Sequence, residues 1–520
     1  MERALSYRDA DTAMTAARRA FETGDVTSTE QICKQVLAFA PERSDVWALL
    51  SETALRRNRL DAAIVCADRA AALDPKEPIV HILRAKCRFF SGDAGEAVEA
   101  AEQASRNGTS APDVLDALGA IFGMLGQHRR ALEPSRRAVA ARPRIPQFLF
   151  NLAATERMLG QLEAAEQHCN DAVAIDPCYC LAHFLRSDLR IATPDRNYIA
   201  EIESVFRQQK LLPADEILLR FALGKEYEDI GQYGRAFEHV AAANELHRAS
   251  IDYDTKAEIA DIDRTIGTQS RSWLASCPQG FRQAKPIFVV GLPRTGTTLV
   301  ERILAGHSAL GSIGETSAFA AALRKAGTSP HGLNFADLGA RYAASAVALG
   351  GPKDGPFIDK TLQNYLYCGY IHAALPNAKI VLVKRRPMDA GWAIFKAHFR
   401  GHFSFSYNQT DLAEYILAYR RLALHWRSVL PAHVYMEVDY EDVVADQAAA
   451  SRRLIAFAGL PWEDEVLRFH QSPAPSATAS AVQVRRPVYS SSIGKWQFHA
   501  QHLAPLRERL ARELAPEDLA

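Results

Sequence analysis

At 520 residues, 48% of them apolar types, the chain is longer than one ordinary compact domain and has ample material for packed cores, so two or more globular units are expected and large-scale disorder is excluded. Lys plus Arg equals Asp plus Glu at 61 each, a formal charge of zero, so nothing global points to nucleic acid or to an anionic membrane surface. Any basic site must be local.

The first residues, MERALSYRDADTAMTAARRAFE, carry acids early and hold no apolar core with a small-residue cleavage site, so they do not read as an export signal. No later stretch is long and apolar enough to span a bilayer, and a cytoplasmic location is expected. The eight cysteines are scattered without C-x-x-C modules, which predicts reduced, mostly buried thiols. Cys178 and Cys180, with His168 nearby, mark a repeat junction more simply than a metal site.

Gly24, Asn58, Gly92, Gly126 and Gly160 fall at intervals of 34. Pro41, Pro75, Pro143 and Pro177 share that lattice, with Thr109 in the missing place. Ala63, Ala97, Ala131 and Ala165 follow each turn residue by five, and Ala70, Ala104, Ala138 and Ala172 by twelve. Small residues at those two places let paired helices approach closely, the glycine takes the turn between them, and the proline starts the next unit where a helix must stop. The pattern resembles the tetratricopeptide repeat. A later copy keeps Gly231, Ala236 and Ala243 but lies 71 residues after Gly160, so a divergent unit of about 37 intervenes. The resemblance implies an all-α helical solenoid over residues 8–250 whose concave face binds protein or peptide segments, either the acceptor or a separate partner. A helical connector over 251–283 follows.

Beyond it, short apolar runs alternate with helical stretches, as in a parallel sheet with crossover helices. Lys285–Gly291, Lys379–Lys384 and Val434–Asp439 are predicted strands, and Leu299, Val300, Ile303 and Leu304 mark one apolar face of a helix after the first. Between that strand and helix runs Gly-Leu-Pro-Arg-Thr-Gly-Thr-Thr, Gly291 to Thr298. Backbone N–H groups of the turn and of the helix start would converge on one spot, with Gly296 allowing close approach, hydroxyls on Thr295, Thr297 and Thr298, and a full charge on Arg294. An anion is expected there. The nucleotide motif G-x-x-x-x-G-K-[ST] would need a lysine where Thr297 stands, so Mg²⁺-dependent chemistry loses support.

Residues 284–500 resemble the sulfotransferases that use 3′-phosphoadenosine-5′-phosphosulfate (PAPS), and the arginine form of the loop is similar to tyrosylprotein sulfotransferases. The resemblance implies an α/β domain over 284–515, P-loop-like and built on a parallel sheet, that needs no metal and transfers a sulfonate from PAPS to a hydroxyl acceptor, a protein tyrosine being one candidate. It places Arg294 on the sulfonate and Thr295, Gly296, Thr297 and Thr298 on the 5′-phosphate. Glu315, in Ser-Ile-Gly-Glu-Thr, becomes the general base, its basicity raised where the carboxylate is buried. Lys360 would stabilise sulfonate and leaving-group charge, and Arg385, with Arg386 beside it, would take the 3′-phosphate. Tyr440, Ser480 and Lys495 match later cofactor-binding positions, while His307 matches a structural histidine. Ala393 departs from the pattern, because the family places a serine there on the 3′-phosphate; Lys396, His398 or Arg400 would have to compensate. The segment from Phe395 to Phe403 reads as an acceptor lid or a surface loop. Two other readings stay open from the residues alone: a repeat scaffold with an inactive nucleotide-binding domain, and a P-loop kinase. Oligomeric state is not legible in the pattern.

Overall fold

The computed structural model describes residues 7–208, 210–327, 332–472, 474, 483–485 and 487–519. The chain falls into two compact units, one formed by Met1–Pro143 with Ala344–Leu349, the other by Arg144–Ala343 with Gly350–Ala520. Among the described residues no helix is long and apolar enough to cross a membrane.

The first unit holds four antiparallel helix pairs: Tyr7–Glu22 with Val26–Phe39, Ser44–Arg56 with Leu60–Leu73, Pro78–Ser91 with Ala94–Asn107, and Pro112–Met124 with His128–Ala141. Each lattice residue sits in the turn inside a pair, with φ of 84° at Gly24, 55° at Asn58, 78° at Gly92 and 73° at Gly126. Left-handed backbone favours glycine, and asparagine tolerates it best among the rest, which is why Asn58 can stand in. The alanines at both small positions are completely buried, Ala63, Ala70, Ala97, Ala104, Ala131 and Ala138 each at 0% exposure. A β-carbon is all the room the paired helices leave, and Ile82, Leu118, Ile121 and Phe122 fill the space around it.

In the second unit the repeats continue as Pro146–Leu159 with Leu162–Ile175, then the divergent pair Cys180–Asp188 and Ile199–Gln208, then Pro213–Asp229 with Tyr233–Ala249. The divergent unit keeps two helices but shortens them to 9 and 10 residues. Cys180 donates its thiol to the Cys178 carbonyl and His168 pairs with Glu156 at 2.7 Å, so each has a local partner within the repeat. The connector forms the helices Thr255–Thr268 and Arg271–Ser276.

The same unit contains a five-stranded parallel sheet: β1 (Lys285–Val290), β2 (Gly311–Ser312), β3 (Pro356–Asp359), β4 (Lys379–Lys384) and β5 (Tyr435–Asp439), in spatial order β2-β3-β1-β4-β5. Central β1 pairs Ile287 with Ile358 on one side and Val289 with Val381 on the other. Ile287, Phe288, Val289 and Val290 are at most 2% exposed, as expected of a strand covered on both faces. Three strands lie where their apolar runs predicted them, the third starting one residue later, at Tyr435. The short strands β2 and β3 carry too few apolar residues to announce themselves; pairing with β1 and with each other makes them strands.

Candidate active site

Parallel strands align their carboxyl ends, and every loop that leaves those ends meets its neighbours on one side of the sheet. Gly291–Gly296 leaves β1, Glu315 follows β2, Lys360 follows β3, Arg385 follows β4 and Tyr440 follows β5. The result is a cavity of about 310 Å³ whose walls include Arg294, Gly296, Thr297, Thr298, Glu315, Arg385, Ala393, Tyr440 and Lys495. Residues scattered over two hundred positions therefore share one space because the sheet is parallel.

The loop after β1 is held by its own contacts. Thr295 donates its hydroxyl to the Leu292 carbonyl at 2.7 Å, so this threonine braces the turn and is not among the cavity-lining residues. Arg294 takes a left-handed φ of 66°, a conformation costing roughly 1–3 kcal/mol in a side-chain-bearing residue. Loss of water lowers the pKa of its guanidinium, and the charges of Arg385 and Arg157 add to this while Asp188 and Tyr489 oppose it. The helix Thr297–Ala305 begins directly behind Gly296, which has no side chain to cap it. Its first-turn N–H groups thus face the cavity together with the positive end of the helix dipole.

Gly296 has φ of 99°, and a β-carbon there would lie 2.4 Å from Cδ2 of Tyr440. The tyrosine hydroxyl shares a 2.7 Å hydrogen bond with Ser492, and the Arg385 guanidinium stands 5.0 Å from the ring centroid. Arg385 donates Nη1 to the Arg294 carbonyl at 3.0 Å and Nη2 to the Ser492 carbonyl at 2.6 Å, while its buried Nε has no hydrogen-bond partner among the described residues. Arg386 is exposed and absent from the cavity wall; its backbone N–H goes to Glu441. Ser480 lies outside the described residues.

Glu315 lines the cavity and pairs with Lys360, whose side chain is fully buried and whose Nζ also lies 4.0 Å from Glu301. The backbone around Glu315 is stitched to the end of β3: the Lys360 N–H donates to Gly314, the Thr361 hydroxyl to the Thr316 carbonyl, and the Thr316 N–H to Thr361 Oγ1. The burial expected around Glu315 is absent, since its side chain is 42% exposed. It stands in the cavity wall, with Lys360 behind it. Lys360 itself is not among the lining residues, so it addresses the site through Glu315. Beside it, burial pushes the carboxyl of Asp359 up to about 6, despite hydrogen bonds from Thr361 and from the Tyr342 hydroxyl at 2.9 Å. His307 shares a hydrogen bond with the Pro461 carbonyl and accepts from the Ala309 N–H, remote from this wall.

Of the three groups expected to replace a hydroxyl at Ala393, Lys396 lines the cavity. His398 does not: it packs against Phe184 and Phe221, and burial with the nearby charges of His247 and Arg400 pushes its imidazole down to about 4. Arg400 is also absent from the wall, whereas Phe399, His402 and Phe403 belong to it, so the segment from Phe395 to Phe403 borders the site. Ser492, Asp389 and Trp392 are wall residues that the sequence did not single out. Asp389 had a readable signal, four residues after Arg385 on a helix; Ser492 had none, because only the tertiary fold brings its segment to Tyr440.

Four cations, Arg294, Arg385, Lys396 and Lys495, face two carboxylates, Glu315 and Asp389, around this space. Asp389 is engaged internally, accepting the Gly494 N–H at 2.8 Å. The surplus of positive charge, the helix start behind Gly296 and the unmatched Arg385 Nε fit a ligand bearing more than one phosphate-like group.

Residues 286–464 match the model described as the sulfotransferase family, and residues 20–87 match that of the tetratricopeptide repeat. An uncharacterized protein of Aquifex aeolicus (strain VF5) is 29% identical over 410 residues, covering 74% of this chain and 53% of the relative. The chain thus spans about half the length of that relative. Among solved structures, a tetratricopeptide repeat protein from Parabacteroides merdae ATCC 43184 is similar at 18% identity and a TM-score of 0.33, covering 46% of this chain and 93% of that one. A thermophilic tetratricopeptide-repeat protein of Thermus thermophilus is similar at 14% identity and a TM-score of 0.31, covering 35% and 98%. The parallel sheet therefore lies in the part of the chain that matches the sulfotransferase-family model, and it follows a helical-repeat region that matches the tetratricopeptide repeat.

Proposed function

We propose that the chain is a sulfotransferase that binds PAPS in the cavity at the carboxyl ends of the strands and transfers its sulfonate to a hydroxyl acceptor, with a protein tyrosine as the first acceptor to test. The carrying observation is the convergence of Arg294, the start of the helix Thr297–Ala305, Arg385 and Glu315 on that one cavity. Bound PAPS would supply an activated sulfonate on a phosphate leaving group. Arg294 and the first-turn N–H groups would hold the 5′-phosphate side, and Arg385 with Lys495 the 3′-phosphate. Glu315 takes the acceptor's hydroxyl proton. Its pairing with Lys360 holds the carboxylate in place at the cavity wall. As Glu315 gains the proton, its attraction to Lys360 behind it weakens. The protein partners of the repeats, including any acceptor, belong to the same proposal.

Isothermal titration with adenosine 3′,5′-bisphosphate, in the presence of a chelator, tests the donor site, and labelled PAPS with a host extract tests transfer. Metal-independent bisphosphate binding together with label transfer supports the reading. Tight binding of Mg-ATP with no bisphosphate binding would replace it with a nucleoside triphosphate enzyme, and bisphosphate binding without transfer with an inactive scaffold.

A further inference from the structure

Lys396 does not stand in the cavity wall unsupported. It ends the helix Pro387–Phe395, all nine residues of which are buried, and its ammonium meets the Glu228 carboxylate at 2.5 Å. Glu228 belongs to the repeat helix Pro213–Asp229, and its side chain is 11% exposed. The same carboxylate accepts the Trp392 indole N–H at 2.9 Å and lies 3.5 Å from His499 Nε2. The Trp392 and His499 rings meet at a tilt with centroids 3.9 Å apart, and Lys495, a cavity cation, opens the turn that carries His499. One repeat carboxylate therefore touches or neighbours three residues of the domain that surround the anion-binding wall.

Resting on the reading that this cavity takes the donor, we propose that Glu228 is a positioning residue for the donor pocket: it fixes Lys396 as a cation facing the polyanion, on the wall where Ala393 offers no hydroxyl. Ala393 and Lys396 are three residues apart at the end of one helix and both line the cavity. The pocket is then completed by the repeats, not by the sulfotransferase-family domain alone.

The electrostatics support the geometry. Burial lowers the pKa of Lys396 and the charges of Lys495 and Arg294 add to that, while Glu228 opposes it. Burial alone would raise the Glu228 pKa, yet Lys396, His499 and Lys495 hold it well below the usual carboxylate range. The charged and titratable groups facing the pair are Lys396 itself on its own helix, Lys495 and His499 on the following turn, and Arg294 on the loop after β1. The helix Tyr233–Ala249 adds Tyr233 edge-on to His499, Phe237 near Trp392, and Asn244, which donates to the Phe395 carbonyl at 2.7 Å. Without Glu228, Lys495 and Arg294 press on a buried ammonium with nothing to offset them, and its proton leaves at a lower pH.

The full chain is titrated with adenosine 3′,5′-bisphosphate as wild type, Glu228→Gln, Lys396→Met and the double variant. Removing Glu228 should weaken affinity clearly more at about pH 9 than at about pH 6.5, because without the carboxylate Lys396 loses its proton at a lower pH. Lys396→Met should weaken binding about ten-fold at both, and the double variant should be no weaker than Lys396→Met. Equal loss for Glu228→Gln at both pH values means a merely structural role and overturns the proposal, as does wild-type affinity in Lys396→Met. Melting temperatures without ligand separate this from the donor reading. Non-additive shifts in the double variant sustain the pair even where wild type binds no bisphosphate, and additive shifts reject it. Absence of wild-type binding rejects the donor reading itself.

Discussion

Gly296→Ala is the sharpest perturbation of the anion cradle, because the added atom has a single, definable place to go. Its β-carbon would lie 2.4 Å from Tyr440 Cδ2 and 3.2 Å from Cε2, closer than carbon atoms pack. The φ of 99° adds left-handed strain of about 1–2 kcal/mol for a residue with a β-carbon. Tyr440 must swing away, which forfeits its hydrogen bond to Ser492, a further ~1 kcal/mol. The same movement takes the ring from beside Arg385 and opens the wall on which the bisphosphate is expected to sit. The total of about 2–3 kcal/mol corresponds to roughly a 30- to 150-fold loss of bisphosphate affinity if the strain is relieved by displacing the wall. Titration calorimetry at one pH measures it, and thermal denaturation shows how much appears as lost stability instead. In a cycle with Tyr440→Ala the clash disappears, so the double variant should be worse than Tyr440→Ala only by the backbone strain. Gly296→Ala binding within two-fold of wild type with an unchanged melting temperature would refute this account of the cradle.

Glu315→Gln should lower turnover by about 10²–10⁴ while bisphosphate affinity stays within about three-fold, since the carboxylate is placed to move a proton and not to hold the donor; stopped-time assays with labelled PAPS check the split. Arg385→Met should weaken adenosine 3′,5′-bisphosphate by at least about ten-fold but leave adenosine 5′-phosphate nearly unaffected, because its unmatched Nε is assigned to the 3′-phosphate; competition titration of the two nucleotides reads the difference. Asp359 makes a pH-dependent contribution to stability. Its folded pKa of about 6 lies above the ordinary value of 3.8, so the protonated form is favoured in the fold: the contribution is present in full below about pH 4 and is lost as pH rises through 6. Over about two pH units this amounts to roughly 3 kcal/mol, so Asp359→Asn should gain on wild type in melting temperature between about pH 4 and 7 and then hold a constant gap. A gap that does not move with pH would contradict the burial argument.

The repeat half was legible because its geometry is written residue by residue. Turn glycines, small positions and prolines act on local backbone and on the neighbouring helix, so a fixed period in sequence becomes a fixed period in space. The strand, turn and helix start around Gly291–Thr298 were legible for the same reason: they are contiguous, and their local structure needs nothing distant. The weak edge strand β2 and the contact between Tyr440 and Ser492 were not, because each depends on partners far along the chain.

The sequence by itself determined the two architectures, the strand-turn-helix loop from Gly291 to Thr298 and the residue types available for chemistry. Tertiary structure alone decided which of them meet. It turned Thr295 inward as a brace, set Lys360 behind Glu315 and left that carboxylate exposed. It also sent His398 into an aromatic cluster and brought a repeat carboxylate, Glu228, to Lys396. The physical reason is that burial and ion pairing are set by the packing of distant elements, here the helix Pro213–Asp229 against the helix Pro387–Phe395, and no local pattern encodes which side chain such an approach will cover.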